Sequence, residues 1–280
     1  MKKISLKNAA FEAYKQIMRL PLNFLSESRR IEQQISWGNE LLPDYAVQTP
    51  FGSLKFHCMN SRVLRRARGL LTDEPDTIDW INRIKPGETL WDIGANIGCY
   101  TLYAALRQIN VVAFEPVAAN YALLCEHIRI NGLEEYATAY CLAISERTGM
   151  GRIDLSQTEV GGAVSHFDGE GVEFFHDGIK RSVLSRQGVY SVSLDTLFHD
   201  KDVEKPQHIK IDVDGIELLI LKGGRKLLSD ENLKSILIEV DLKDKKMGNE
   251  TIAMLSGCGF NLDGRFCRRV EIVTNLLFIR

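Results

Sequence analysis

Carboxylates stand at or near the ends of four apolar runs in this chain. Asp92 lies within Thr89-Leu90-Trp91-Asp92-Ile93-Gly94-Ala95-Asn96-Ile97-Gly98, which reads as a buried strand running into a tight glycine turn. Glu115 closes Val111-Val112-Ala113-Phe114 and precedes Pro116. Asp212 and Asp214 follow Lys210 and alternate with Ile211 and Val213, and Glu239 sits near the end of Ser235-Ile236-Leu237-Ile238-Glu239-Val240. An acidic residue about 20 positions after a glycine turn is where such folds grip a ribose diol, and Glu115 has that spacing. The turn fits a dinucleotide poorly. Ala95 and Asn96 follow Gly94, so the glycine that lets backbone approach a pyrophosphate is missing. Asp92 would also repel phosphate. A ligand with an adenosine, a ribose diol and a cationic centre, but no phosphate, fits better. S-adenosylmethionine is such a ligand.

A set of cofactor contacts follows. Asp92 is expected to meet the cationic methionyl part through its hydrogen bonds, with Gly94, Ala95, Asn96 and Gly98 forming the turn around it. Glu115, with Pro116 after it, is expected to take both ribose hydroxyls. Leu142 and Ala143, near the end of a third strand, should lie beside the adenine ring. The remaining cluster is Lys210, Asp212, Asp214 and Glu239. A central parallel strand is buried on both faces and should be apolar throughout, so three charges on one side need an explanation. One is a structural ion pair of Lys210 with Asp195 or Glu239. A second makes one carboxylate the general base that activates a hydroxyl, a poor nucleophile at neutral pH. A third has two or three of Asp212, Asp214 and Glu239 hold magnesium. His166, in a glycine-rich stretch, is a further base candidate or an incidental loop histidine. Cys99 reads as a small apolar neighbour of the cofactor. Arg62, Arg65, Arg66 and Arg68 form a solvated face or a rim that meets an anionic substrate, such as a phosphorylated or acidic sugar.

Ligands of open α/β sheets lie beyond the carboxyl ends of parallel strands. The strands that must position these residues are Leu90 to Ile93, Val111 to Phe114, Tyr140 to Ile144, His208 to Val213 and Ser235 to Val240. Helices are expected over Tyr100 to Arg107, Ala118 to Ile130 and Ile216 to Ser229, and terminal strand character over Glu271 to Ile279. Residues 151–190 break the alternation. Arg152 to Leu155 and Val189 to Val192 read as strands around five glycines, a loop-rich insertion taken as the substrate cover. Residues 8–20 are helical in period and basic. They suit an extra helix packed on the domain or at a dimer contact, or one resting on a membrane surface. A further helix is expected between Leu22 and Glu40.

The motifs WDIGANIGCYTLYAA, VVAFEP, the Asn120 and Asn131 that follow, SLDTL, KIDVDGIELLILKGG and ILIEV occur in that order. Together they resemble the FkbM-type S-adenosylmethionine-dependent methyltransferases, from about Pro50 to Val240. The resemblance implies a Rossmann-like α/β methyltransferase fold, a mostly parallel seven-strand sheet with helices on both faces. An N-terminal helical extension over residues 1–48 would precede a methyltransferase domain over 49–280. It also implies methyl transfer to a hydroxyl oxygen, first of a sugar, glycan or glycolipid precursor in polysaccharide biosynthesis, alternatively of a polyketide-type hydroxyl. A nicotinamide-dependent oxidoreductase and a non-catalytic nucleotide-binding module are the rivals. The missing glycine counts against the first, and intact Asp92, Gly94, Gly98, Glu115 and Asp212 against the second.

Bulk properties fit this reading. The chain has 280 residues, 45% hydrophobic and 26% charged, enough to bury a large core. A formal net charge of −2 gives no electrostatic case for nucleic acid. Six cysteines form no C-x-x-C pair. With no signal peptide or membrane span recognisable, a cytoplasmic protein with reduced thiols is expected.

Overall fold

A computed structural model describes residues 25–163, 165–167, 173–176, 179–213, 215–241, 245–264 and 273–280. The chain divides into two units, Met1–Pro43 and Asp44–Arg280. The first contributes the helix Glu27–Glu40 to the described residues. The expected helix over 8–20 lies outside them.

The second unit opens with an antiparallel hairpin, β1 (Asp44–Thr49) and β2 (Gly52–His57), and is organised by a seven-stranded sheet. The strands are β3 (Thr89–Ile93), β4 (Asn110–Phe114), β5 (Ala137–Tyr140), β12 (His208–Ile211), β13 (Ser235–Asp241), β14 (Asn261–Leu262) and β15 (Val273–Ile279). Their order is β14-β15-β13-β12-β3-β4-β5. The five central and edge strands from β13 to β5 run parallel, and β15 is antiparallel to β13 and β14. This is a Rossmann-like α/β fold.

Residue alternation divides the core. Leu90, Val111, Ala113 and Leu237 pack on one face with Leu102 and Ala104 of the helix Cys99–Leu106 and Leu123 and Leu124 of Ala118–Ile130. Trp91, Ile93, Val112, Phe114, Ile209, Ile211, Ile236 and Ile238 pack on the other, against Leu194, Ile220, Leu221 and Leu255. Period-2 patterning with apolar residues on both sides is what a doubly covered parallel strand requires. Lys210, between Ile209 and Ile211, breaks it.

Three expectations change. Tyr140 to Ile144 is not one strand: β5 ends at Tyr140, and Ala143–Ser145 (β6) pairs in parallel with Ser191–Ser193 of another sheet. The described residues of the 151–190 segment are more strand than loop. Gly149–Leu155 (β7) and Ser185–Ser193 (β11) pair antiparallel, with Ser165–Phe167 (β8) beyond β7, and Glu173–His176 (β9) pairs with Ile179–Ser182 (β10). Asp154, buried on β7, accepts from Arg152 Nε and Arg186 Nε. Glycine content signalled turns here, not the absence of pairing. Finally, Ile216 to Ser229 splits into the helix Glu217–Lys222 and a short 3-10 turn, Leu227–Ser229. A Cβ on Gly223 would lie 2.6 Å from the Ser145 carbonyl oxygen, and one on Gly224 2.7 Å from Leu194 Cδ1. The pair breaks the helix so that backbone can pass close to β6.

Candidate active site

Two adjoining cavities open at the carboxyl ends of β3, β4 and β12. The larger, about 190 Å³, is walled by Phe114, Leu142, Ala143, Ile144 and Ile153, with Glu115, Pro116, Gln157 and Gln187 among its polar or turn residues. The smaller, about 80 Å³, carries both signs of charge: Arg66 and Lys210 against Asp73, Glu74 and Asp212. Arg66, Gly94, Asn96 and Asp212 line both.

Gly94 makes the junction possible. Its φ is +85° and a Cβ would fall 1.9 Å from the Asp212 carbonyl oxygen, so only glycine fits this close crossing of two strand ends. Asn96, also at positive φ (52°), presents its backbone N–H to Glu115 Oε2 at 2.8 Å. Glu115 Oε1 accepts from Val117 N at 2.9 Å and Asn120 Nδ2 at 3.4 Å. The carboxylate is 4% exposed, and each of its oxygens can accept from more than one donor.

The segment over the cavities is pinned at its near end. Asn60 Nδ2 donates to Val160 O (3.0 Å), Arg66 Nε to Gly161 O (2.7 Å) and Asn96 Nδ2 to Gly162 O (2.9 Å). Asn120 accepts from Gly161 N (2.8 Å) and donates to Gly162 O (3.3 Å). Gln187 of β11 ties the small sheet to the Glu115-Pro116 turn, donating to Pro116 O and accepting from Ala118 N. Nothing in residue type marked Asn60 or Gln187. Asn120 was visible only as a motif residue following Glu115-Pro116.

The charged cluster differs from its expected form. Lys210 is 1% exposed and donates to Asp212 Oδ2 at 2.6 Å. Its ammonium also lies over the Tyr100 ring, 5.0 Å from the centroid. It pairs with neither Asp195 nor Glu239. Asp195 instead accepts from the backbone N–H groups of Lys226 and Leu227, closing the turn after Gly224. Burial opposes charge on Lys210, but the Asp212, Glu74 and Asp92 carboxylates outweigh it and hold its pKa above the usual lysine range. Glu239 is pushed up to about 9, by burial first and then by the Asp212 and Glu217 carboxylates. It is a neutral acid at pH 7 and lines neither cavity.

Asp92, expected at the methionyl group, lines neither cavity. It is 1% exposed, accepts from Thr101 Oγ1 at 2.6 Å through Oδ2, and leaves Oδ1 buried without a hydrogen-bond partner. Burial raises its pKa, against the pull of Lys210. Gly98 also lines neither cavity; it precedes the helix Cys99–Leu106. Ala95 lines the smaller cavity. Cys99, also there, is pushed up to about 12 by burial, so it stays a thiol. Asp214 lies outside the described residues. His166 sits on β8 opposite Asp154 in register. Among the described residues no group of three His, Cys, Asp or Glu could hold a metal ion. Asp212 is engaged by Lys210, and the third member of the expected magnesium set, Asp214, is outside the described residues.

Residues 92–262 match the Methyltransferase FkbM domain, more than half of the chain. The chain belongs to the FkbM methyltransferase family. The chain is 28% identical over 159 residues to the hexuronic acid methyltransferase AglP of Haloferax volcanii. That match covers 56% of this chain and 59% of the relative. Among solved structures, the precorrin-6y C5,15-methyltransferase of Geobacter metallireducens aligns with TM-score 0.44 and 10% identity, over 75% of this chain and 90% of that one. Magnesium protoporphyrin IX methyltransferase (ChlM) from Synechocystis PCC 6803, with bound SAM, aligns with TM-score 0.42 and 11% identity, over 79% and 85%. The FkbM match begins at Asp92 and takes in Gly94, Glu115, Lys210, Asp212 and Glu239. Arg66 and Glu74, which line the smaller cavity, precede it.

Proposed function

We propose that this chain transfers a methyl group from S-adenosylmethionine to an oxygen of a sugar-derived acceptor. The observation that carries the reading is Glu115. Its carboxylate accepts from the Asn96 and Val117 backbone N–H groups and lines a cavity with apolar walls, next to a smaller cavity of mixed charge. Phe114, Leu142 and Ala143 offer the apolar surface that an adenine needs, Glu115 the acceptor for a ribose diol. The carbonyl of Gln157, buried without a hydrogen-bond partner beside the larger cavity, calls for a donor from a ligand. The mixed-charge cavity suits a zwitterionic amino-acid end.

The cofactor would supply an electrophilic methyl group on a sulfonium. The protein's part is to orient the acceptor oxygen and to take its proton. Asp212 lines both cavities, and its side chain is 31% exposed. One of its oxygens is held by Lys210, which fixes the carboxylate and leaves the other oxygen for a hydroxyl proton. Lys210 itself keeps its proton, for the reasons of charge given above. The sugar acceptor rests on the likeness to a hexuronic acid methyltransferase.

Calorimetry with S-adenosylhomocysteine and with NAD tests the cofactor. Binding of the first is expected, with affinity reduced about 10- to 100-fold in Glu115→Ala, the worth of hydrogen bonds to a charged group. Binding of NAD without S-adenosylhomocysteine would reverse the assignment. Transfer of labelled methyl to a uronate-bearing oligosaccharide tests the acceptor, and no transfer to any saccharide would remove it.

A further inference from the structure

The arginines of the helix Ser61–Gly69 do not share one role. Arg62 is ion-paired with Glu159 at 3.7 Å. Arg68 lies over the Tyr45 ring, 5.5 Å from the centroid. Arg65 is exposed. Arg66 is half-buried, lines both cavities, and its one hydrogen bond runs from Nε to the Gly161 carbonyl. No carboxylate of the described residues pairs with it. The three that share the smaller cavity are turned to other work. Asp212 accepts from Lys210 Nζ at 2.6 Å. Asp73 packs against Gly69, where a Cβ would lie 2.0 Å from its Oδ2. Glu74 Oε2 accepts from Thr77 Oγ1 and Asn275 Nδ2, both at 2.8 Å.

A half-buried guanidinium normally finds a carboxylate, because its planar fork matches one bidentately and because an unpaired buried charge is costly. Here Nε is spent on a neutral carbonyl, which fixes the plane of the group. The two terminal amino groups then carry the unmatched charge at the place where the cavities meet.

We propose that Arg66 is a carboxylate-binding residue, completed by a carboxylate of a ligand that enters the junction of the two cavities. This rests on the methyl-transfer reading for what the ligands are. Two sources have the chemistry: the amino-acid carboxylate of the cofactor and the carboxylate of a uronic-acid acceptor. Glu74 and Asp73, on the opposite side of the charge balance, suit the ammonium that accompanies the first.

The test is calorimetry on wild type, Arg66→Gln and Arg66→Lys. The probes are S-adenosylhomocysteine, its decarboxylated analogue, glucuronate and glucose. If the cofactor is the source, Arg66→Gln weakens S-adenosylhomocysteine about 10- to 100-fold and leaves the decarboxylated analogue unchanged. If the acceptor is the source, glucuronate binding is lost by the same factor while glucose is unaffected. Arg66→Lys, which keeps the charge and loses the fork, falls between. Asn60→Ala removes the neighbouring pin on Val160 O and provides the pattern of a purely structural loss, in which S-adenosylhomocysteine and its analogue weaken together. That same pattern in Arg66→Gln, or no change in any arm, overturns the proposal. A wild type that binds no S-adenosylhomocysteine counts against the methyl-transfer reading instead, and the glucuronate arm, run without nucleoside, still decides Arg66.

Discussion

Strand β12 carries a buried titratable cluster at each end, and the two are finished differently. At its start, His208 Nδ1 meets Ser235 Oγ at 2.7 Å and Nε2 meets Glu88 Oε2 at 3.0 Å. Trp80 Nε1 donates to the same serine at 2.9 Å, and Lys234 Nζ to Glu88 Oε1 at 2.5 Å. Burial would raise the Glu88 carboxyl, but the Lys234, Lys85 and His208 donors outweigh it and hold it at about 2. Neither His208 nor Glu88 borders either of the two cavities. At the other end, Arg66 has no carboxylate partner among the described residues, and Asp212 stands between two cavities with one oxygen held by Lys210. Both clusters contain buried charge. Only the second leaves its groups incompletely matched, and a native protein retains such groups where a ligand completes them. The incomplete pairing, more than the presence of charge, separates a site from a structural network.

The sharpest way to break that contrast is Asp212→Asn. If Asp212 is the base, turnover with a true acceptor falls about 10²–10⁴, while affinity for S-adenosylhomocysteine stays near wild type. Unchanged turnover would remove Asp212 from the mechanism and leave His166 as the next base to examine. A smaller effect, on stability alone, is expected at the opposite end. Ser235→Ala leaves Trp80 Nε1 and one nitrogen of His208 without their partner, at a cost of about 1–3 kcal/mol. Denaturant titration should report the loss, and cofactor affinity should not move. A drop in affinity would mean that the two ends of β12 are not separable. The smallest effect concerns pH. Glu239 has a folded pKa of about 9, raised from 4.5. The folded chain then binds this proton more tightly than the unfolded one, so stability is full below about pH 4.5 and declines as pH rises towards 9. Glu239→Gln removes that decline. Its melting temperature should gain on the wild type progressively from pH 5 to pH 9. Parallel curves would place the Glu239 proton elsewhere in the cluster.

Much of the fold was legible because it depends on local pattern. Alternating Leu90, Trp91 and Ile93, Val111 to Phe114, and Ile209 and Ile211 specify strands covered on both faces, and the Gly94 turn with Glu115 specifies where a ligand lies. In the insertion the strands Arg152 to Leu155 and Val189 to Val192 were legible too, but their partners were not. The pairing of β7 with β11 joins residues about thirty positions apart, such as Asp154 and Arg186, and no short window contains both partners. The break at Gly223-Gly224 depends likewise on Ser145 and Leu194, which are remote in the chain.

For the site, the amino-acid sequence alone determined which groups were available: Glu115 at its spacing from the glycine turn, and Lys210, Asp212 and Glu239 at the strand ends. Residue type and periodicity suffice for that, because strand geometry delivers side chains to one edge whatever surrounds them. Tertiary structure decided what each group is. It paired Lys210 with Asp212 and not with Asp195 or Glu239, kept the Glu239 proton, moved Asp92 out of the cavities, and left Arg66 facing both. Charge state and pairing depend on distance and burial in three dimensions, and a change of an ångström or of one neighbour reverses them.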